Sequence, residues 1–143
     1  MGFLATDFTP ISSTGPTVLI PTSKDVVVKV FKASRSDTTA TLKAVLPADA
    51  SILSVIFYGG TASDAGTTAS LTITAANNGG TISTGSYDVK TNGATTGLVN
   101  MSALPNVQPV PLNGDITIKA TYAETGTAST AGGPWNVAIT YIR

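Results

Sequence analysis

Residues 115–122, DITIKATY, alternate strictly between polar and apolar side chains. This period of two is typical of a β-strand that packs one face against a core and exposes the other to water. The helical period of 3.6 residues hardly occurs in the chain, so the pattern predicts an all-β protein. The positions expected to point inward are Ile116, Ile118, Ala120 and Tyr122.

Two other stretches repeat this alternation. Residues 69–75 and 135–141 each place four apolar side chains in one phase, with polar side chains at most positions of the other, so both predict half-buried strands. Pro134 stands where a strand can begin, since proline is tolerated at a strand's first residue. The inward positions are Ala69, Leu71, Ile73 and Ala75 in the first stretch, and Trp135, Val137, Ile139 and Tyr141 in the second.

Three earlier strands are predicted from less regular patterns. Residues 25–32 place three valines on one face. Residues 39–46 place alternate alanine and leucine side chains on one face. Residues 52–58 are apolar on both sides, which predicts a central strand. The shared faces consist of Val26, Val28 and Val30 in the first stretch, and of Ala40, Leu42, Ala44 and Leu46 in the second.

Shorter strand candidates at residues 17–20, 87–90 and 98–101 bring the predicted number of strands to about eight. Turn-forming Gly, Asn, Asp and Pro residues separate most of them. An antiparallel two-sheet β-sandwich, of jelly-roll type, is therefore the expected fold, with a barrel or an immunoglobulin-like sandwich as the alternatives.

Composition excludes several kinds of chemistry. The chain has neither Cys nor His, which removes disulfides, thiolate metal ligands, cysteine nucleophiles and the commonest general base. Charged residues make up only 11% of the chain and cancel, while 24 residues are Thr. We expect no enzyme activity and no cofactor. A neutral surface promotes association, which is consistent with a component of an assembly.

Residues 1–24 differ from the rest of the chain because prolines at positions 10, 16 and 21 exclude a helix or a central strand. We expect an extended arm or edge segment, followed by a sandwich domain over residues 25–143. The apolar residues of the arm are candidates for contact with a neighbouring subunit, although folding back over the chain's own sheet is the commoner arrangement. They are Phe3, Leu4, Phe8 and Ile11. No secretory signal or membrane-spanning run is recognisable.

Polar clusters give only weak signals. The acidic residues stand mostly in predicted turns, where Asp bonds the nearby backbone. A calcium site is conceivable, but no calcium-loop motif is present. The glycine-rich loop at residues 59–66 lacks the spacing of a phosphate-binding loop, and no metal site is expected. The calcium alternative would use Asp64, Asn77, Asn78 and Asp88.

A mildly basic first third of the chain contains Lys29 and Arg35. Nucleic-acid binding would need a denser patch with aromatic platforms, so these residues are interpreted as a solvated face or a contact for an acidic protein partner. Tyr87 is the aromatic residue expected to be most exposed, whereas Trp135 and Tyr122 fall in phase with the core. Residues 61–68, 76–86 and 124–133 are predicted as long loops, where binding sites commonly occur.

Three stretches resemble the jelly-roll head decoration, or cementing, proteins of tailed bacteriophages: LPADASILSVIFYGGTASDAGTTASLTIT (46–74), STGSYDVKTNG (83–93) and GDITIKATYAETGTASTAGGPWNVAITYIR (114–143). The resemblance implies a virion protein on the outer capsid surface, assembled in the host cytoplasm. It would bridge major capsid protein subunits and stabilise the head against packaged DNA.

The partners implied are the major capsid protein and further copies of the chain, as a dimer or trimer, with no direct nucleic acid, membrane or small-molecule substrate. The alternative is a carbohydrate- or receptor-binding module of a tail, fibre or adhesin. In that case Tyr87 and the loop tips would hold the ligand, because aromatic faces stack on sugar rings.

Overall fold

A computed structural model describes residues 25–107 and 112–143 of the protein. Within these residues the fold is an antiparallel β-sandwich of two four-stranded sheets without helices, which confirms the expected fold class and strand number. The strands are β1 (Val26–Ala33), β2 (Thr41–Leu46), β3 (Ser51–Tyr58), β4 (Thr68–Asn77), β5 (Gly80–Asp88), β6 (Thr96–Leu98), β7 (Ile116–Thr125) and β8 (Trp135–Ile142).

The strands are arranged as a long hairpin folded over on itself. Sheet I has the order β1-β8-β3-β6 and sheet II the order β2-β7-β4-β5. The first strand therefore pairs with the eighth, the second with the seventh, the third with the sixth and the fourth with the fifth. Two further pairings, β3 with β8 and β4 with β7, join these hairpin arms into complete sheets.

The core lies between the two sheets and is built from the predicted alternation. The inward residues expected for β4, β7 and β8 are all buried, and Trp135 is fully enclosed. Tyr122 of sheet II stacks on this indole of sheet I, which ties the two layers together. The three clearest patterns in the sequence thus place the core correctly.

Irregular pairing explains where β2 and β3 differ from simple alternation. In β2 the register shifts between Leu42 and Ala44, so Leu42 turns to solvent although Ala44 and Leu46 stay buried. The predicted shared face of that strand is therefore wrong at Leu42, and also at Ala40, which is exposed and precedes the strand. A β-bulge inserts one residue and reverses the facing of the side chains beyond it. The same kind of shift occurs early in β3, which is central in its sheet as predicted.

The prediction of a loop at residues 76–86 is wrong, because most of this stretch forms the β4–β5 hairpin. Gly80 has a φ of +114°, a conformation that favours glycine, at the start of β5. The inward positions of β5 include Ser83 and Gly85. A Cβ at Gly85 would lie 2.5 Å from the carbonyl oxygen of Asn100, so only glycine fits. These small residues give no apolar alternation for sequence analysis to detect.

The proposed arm, residues 1–24, lies outside the described residues, as do the predicted strand at residues 17–20 and the interface candidates Phe3, Leu4, Phe8 and Ile11. The short candidate at residues 98–101 overlaps β6 at Leu98 alone. The candidate at residues 87–90 coincides with the last two residues of β5.

Candidate docking surface

The outer face of sheet I carries a continuous apolar row across its four strands. Val30 of β1 lies opposite Ala138 of β8, Ala138 lies opposite Ile56 of β3, and Ile56 lies opposite Leu98 of β6. Side chains directly opposite each other on adjacent strands are about 5 Å apart, so these four form one strip. A sheet face that meets only water normally carries polar side chains at such positions.

Further apolar side chains extend this strip into a patch, which we call the docking face. Val26 and Val28 precede Val30 on β1 and are 65% and 57% exposed. Leu53 and Tyr58 flank Ile56 on β3 and are also exposed. The docking face thus comprises Val26, Val28, Val30, Leu53, Ile56, Tyr58, Leu98, Ala138 and Ile142.

The docking face has a concave border beside β6. A groove of about 240 Å³ opens there, with Leu53 and Leu98 on its sheet side and Met101 and Leu104 on the loop that follows β6. A groove of this size admits an aliphatic or aromatic side chain from a partner. Binding energy in interfaces is commonly concentrated where such a side chain fills a pocket.

The outer face of sheet II is of the opposite character. Its hydroxyl side chains bond to one another across the strands: Thr72 to Ser86 at 2.6 Å and Thr74 to Thr84 at 3.2 Å. Thr68 and Thr125 make a third such pair at 2.6 Å. These threonine pairs make the centre of the sheet II face polar, whereas its exposed apolar side chains, Leu42 and Val45, lie on the edge strand β2.

The size of the docking face is that of an interaction site. Three strands of eight residues and one of three cover roughly 430 Å², from strand spacings of about 4.8 Å and a rise of about 3.3 Å per residue. The largest apolar patch on a monomeric protein is commonly about 300–600 Å² and often functional. Burial of this area is the main binding free energy that the described surface offers.

The two basic residues proposed as contacts for a partner, Arg35 and Lys29, form hydrogen bonds within the protein. The Arg35 guanidinium donates to the carbonyl oxygens of Ser129 at 2.5 Å and Thr130 at 2.9 Å, and so holds the loop between β7 and β8. The Lys29 ammonium donates to the carbonyl oxygen of Val45 at 3.0 Å, which links β1 to β2 across the sandwich. Neither cation lies on the docking face.

Tyr87 is half-buried rather than the most exposed aromatic residue. Its ring stacks on Phe57 with centroids 4.2 Å apart and planes 17° from parallel. It points inward because its position on β5 is in phase with buried Ser83 and Gly85. Tyr58, 38% exposed, is the tyrosine that the docking face presents.

A hydroxyl-rich cleft of about 370 Å³ lies beside Tyr87 at the start of β4. The charged groups that line it, Asp88 and Lys90, already have partners in the protein. The Asp88 carboxylate accepts from the N–H groups of Lys90 and Thr91, and the Thr91 N–H is the main cause that lowers the pKa of Asp88. The Lys90 ammonium donates to the carbonyl oxygen of Ala65. The charged groups of the cleft are therefore already used within the protein and are not free to fix a ligand.

The residues considered for calcium are not brought together. Asp88 lies opposite Ser70 near the start of β4, whereas Asn77 ends that strand. Seven residues of strand separate these positions, which amounts to about 23 Å. Among residues 25–107 and 112–143 no three Asp or Glu side chains gather as metal ligands, and no helix could cross a membrane.

A hydrogen-bonded cluster closes one end of the sandwich. The Tyr122 hydroxyl donates to Glu124 at 2.5 Å, and it also bonds Ser63 at 2.8 Å and Ser129 at 3.1 Å. Hydrogen bonds from Ser129 and then Tyr122 lower the pKa of Glu124. Asp64 accepts from the hydroxyl and N–H of Thr130, which lower its pKa to about 2. These carboxylates stay ionised and fix loops.

Comparisons of the chain with protein-family models, curated proteins and solved structures give no match. Sequence reasoning missed the docking face because it interpreted the two apolar sides of residues 52–58 as the mark of a central strand and assigned no outer surface to them. The signal was present in residues 52–58, which are apolar in both phases, and in the valines of β1.

Proposed function

We propose that this protein is a non-catalytic structural protein that binds the outer surface of a viral capsid and cements neighbouring major capsid protein subunits. The apolar row Val30, Ala138, Ile56 and Leu98 on the docking face carries the proposal. A sandwich with an apolar patch on one outer face and threonine pairs on the other suits a protein held between a protein lattice and water.

The area of the docking face explains why such a protein would act in many copies. Roughly 430 Å² from each partner gives a contact of about 860 Å², below the standard interface of about 1,600 Å². One such contact is weak after the entropy cost of association. A lattice of identical sites compensates, since linked copies bind with an enhanced effective concentration.

The strand order supports the finer assignment of a jelly roll within this proposal. Pairing of the first strand with the eighth, down to the fourth with the fifth, is the order of a hairpin rolled into two sheets. Jelly rolls are frequent in viral capsid and lectin domains, so the fold is compatible with both the cementing role and the carbohydrate alternative. This support is by analogy of fold.

Co-sedimentation with empty, expanded capsids of the source virus tests the proposal. We expect the wild type to bind at a saturating, fixed ratio to the capsid subunit. Leu98→Lys should reduce the affinity at least tenfold by placing a charge on the docking face. Ala123→Lys adds the same charge to the exposed outer face of sheet II and should bind like the wild type. Equal binding by both variants, or none by the wild type, would contradict the proposal.

The carbohydrate alternative makes a different prediction. It requires the cleft beside Tyr87 to bind a sugar, so the isolated protein should give a specific signal on a glycan array. Ser86→Lys, at the mouth of the cleft, should remove that signal, and Leu98→Lys should leave it unchanged. Glycan binding together with failure to bind capsids would replace the cementing role with this alternative.

A further inference from the structure

The outer edge of β1 presents backbone groups that the described residues leave unpaired. Asp25 and Arg143 exchange both backbone hydrogen bonds, at 3.2 and 3.3 Å. In an antiparallel pair such residues alternate along the strand. The odd-numbered residues of β1 therefore bond to β8, and the N–H and C=O groups of Val26, Val28, Val30 and Lys32 point away from the sheet.

The other three edges of the sandwich carry features that discourage pairing. The β2 edge is interrupted by its bulge, and β6 has only three residues. The β5 edge is covered at Thr84, where Ser102 donates its N–H to the Thr84 carbonyl at 2.8 Å and accepts the Thr84 N–H on its hydroxyl at 3.1 Å. Bulges, short strands and covering loops are the usual means of protecting sheet edges.

By contrast, β1 is eight residues long, pairs with β8 without any register shift and contains no proline. Its sequence, VVVKVFKA, is rich in β-branched residues, which fit a pleated sheet. Its lysines leave the edge open, because Lys29 reaches across the sandwich to Val45 and Lys32 stands near the end of the strand. A long, regular edge rich in valine is a template for another strand.

We propose that β1 pairs with β1 of a second copy in antiparallel fashion, which joins the two copies of sheet I into one eight-stranded sheet. The contact is isologous, since the same edge serves both partners. A two-fold axis at Lys29 would set two ammonium groups opposite each other. The axis therefore passes near Val28, with about six N–H···O=C bonds across it.

This pairing follows from the edge itself and does not depend on what the docking face binds. It goes beyond the proposed function by assigning the surface through which copies recognise each other. Because Val26, Val28 and Val30 stand next to the edge, the two docking faces become continuous across the joint. The surface presented to a partner rises to roughly 860 Å², since two faces of about 430 Å² are combined.

Light-scattering mass and sedimentation equilibrium of the full chain test the pairing. We expect a dimer whose dissociation constant rises at least tenfold in Val28→Pro, because proline removes an N–H that points to the open edge and keeps an apolar side chain. Leu98→Lys, on the far strand of the same face, should dimerise like the wild type. Intrinsic fluorescence of Trp135 confirms that each variant is folded.

Cross-linking locates the axis, since the chain contains no cysteine of its own. Val28→Cys should form a disulfide-linked dimer under mild oxidation, because opposite residues of a hydrogen-bonded pair lie about 5.5 Å apart. Ala123→Cys, exposed on sheet II, is the control and should cross-link at least tenfold more slowly. A wild type that stays monomeric up to about 1 mM, an unchanged dimer in Val28→Pro, or equal cross-linking of both cysteines would overturn the proposal.

Capsid binding and pairing are separable in these experiments. Loss of capsid binding in Leu98→Lys with an intact dimer concerns the docking face alone. Because Val28 also belongs to the docking face, loss of the dimer in Val28→Pro is assigned to the edge only when Leu98→Lys still dimerises. The proposed function and the pairing can therefore fail independently.

Discussion

The ring of Tyr122 stacks on the indole of Trp135, with centroids 5.5 Å apart and planes 20° from parallel. The two residues belong to different sheets, so this contact holds the layers of the sandwich together. The Trp135 indole N–H donates to the carbonyl oxygen of Thr61 at 2.8 Å, and the Tyr122 hydroxyl enters the cluster at the end of the sandwich. Each ring is thus fixed by both stacking and hydrogen bonding.

Tyr122→Phe should keep the stacking and lose the hydroxyl. The buried hydroxyl of Ser63 would then lack its bond to Tyr122, and Glu124 would lose a donor. We expect a decrease of about 1–2 kcal/mol in the free energy of unfolding, measured by urea denaturation. Tyr141→Phe serves as the comparison, since no hydrogen bond of its hydroxyl contributes to this cluster. A decrease in the free energy of unfolding of Tyr141→Phe as large as that of Tyr122→Phe would contradict a stabilising role of the cluster.

Ile118→Asp should prevent folding under native conditions. Ile118 is fully buried between the sheets, so the substitution would place an unpaired carboxylate in the core. We expect a loss of at least about 4 kcal/mol, seen as absence of a cooperative thermal transition by circular dichroism. Thr121→Asp, on the outer face of the same strand, should still melt cooperatively. Wild-type stability of Ile118→Asp would show that the strand faces the other way.

Acid should weaken the protein through Asp64. Hydrogen bonds from the Thr130 side chain, the Ala131 N–H and the Thr130 N–H lower the pKa of Asp64 to about 2 from an ordinary value of 3.8. A carboxylate with a lowered folded-state pKa stabilises the protein above its unfolded-state pKa, and this stabilisation is lost as the pH falls from about 4 to about 2.

Asp64→Asn should therefore lower the melting temperature at pH 7 and flatten its decline between about pH 4 and pH 2. Asp49→Asn, an exposed turn residue, provides the control. Differential scanning fluorimetry across the pH range measures both variants. A decline in Asp64→Asn as steep as that of the wild type would assign the acid sensitivity to other carboxylates.

Gly93→Ala should destabilise the protein strongly for steric reasons. A Cβ at this position would lie 2.2 Å from the carbonyl oxygen of Val89 and 2.7 Å from the Cα of Ala62. Both are backbone atoms, so relief requires the chain to move, and we expect a cost of about 2–3 kcal/mol in chemical denaturation. In Gly80→Ala no atom would lie within 4 Å of the new Cβ. Only the positive φ of this residue disfavours the substitution, and it lowers the free energy of unfolding by about 1 kcal/mol. A larger loss of stability in Gly80→Ala than in Gly93→Ala would contradict this account.

Sequence patterns predict those parts of the fold in which hydrophobicity and strand geometry agree. The alternation around Leu71, Ile118 and Val137 places three strands and their inward faces correctly. Bulges escaped prediction because an inserted residue leaves no mark in composition, and so Leu42 was assigned to the wrong face. The β5 strand escaped because Ser83 and Gly85 pack inward against a close backbone.

The candidate site was harder to predict than the fold. Val26, Val28 and Val30 were correctly expected to share a face, but only the pairing of all four strands shows that this face meets Ile56 and Leu98 on the outside. Arg35 and Lys29 show a second limit of sequence analysis, which detects a charge but not the partner that the fold supplies. Their charges suggested a partner, whereas carbonyl oxygens brought close by the fold take up their hydrogen bonds.

The rolled hairpin has a consequence for how the chain folds. The strand pairs differ in how far apart their strands lie in the sequence. β4 and β5 are joined by a short turn at residues 78–79, whereas β1 pairs with β8 from the other end of the described chain, with Val26 opposite Ile142. Closing long loops costs entropy that early contacts do not repay, so folding should start at the β4–β5 hairpin and finish with β1. β1, which carries the most exposed valines, is then the last strand to pair. Chaperones or rapid assembly would therefore protect the protein from aggregation most during that final step.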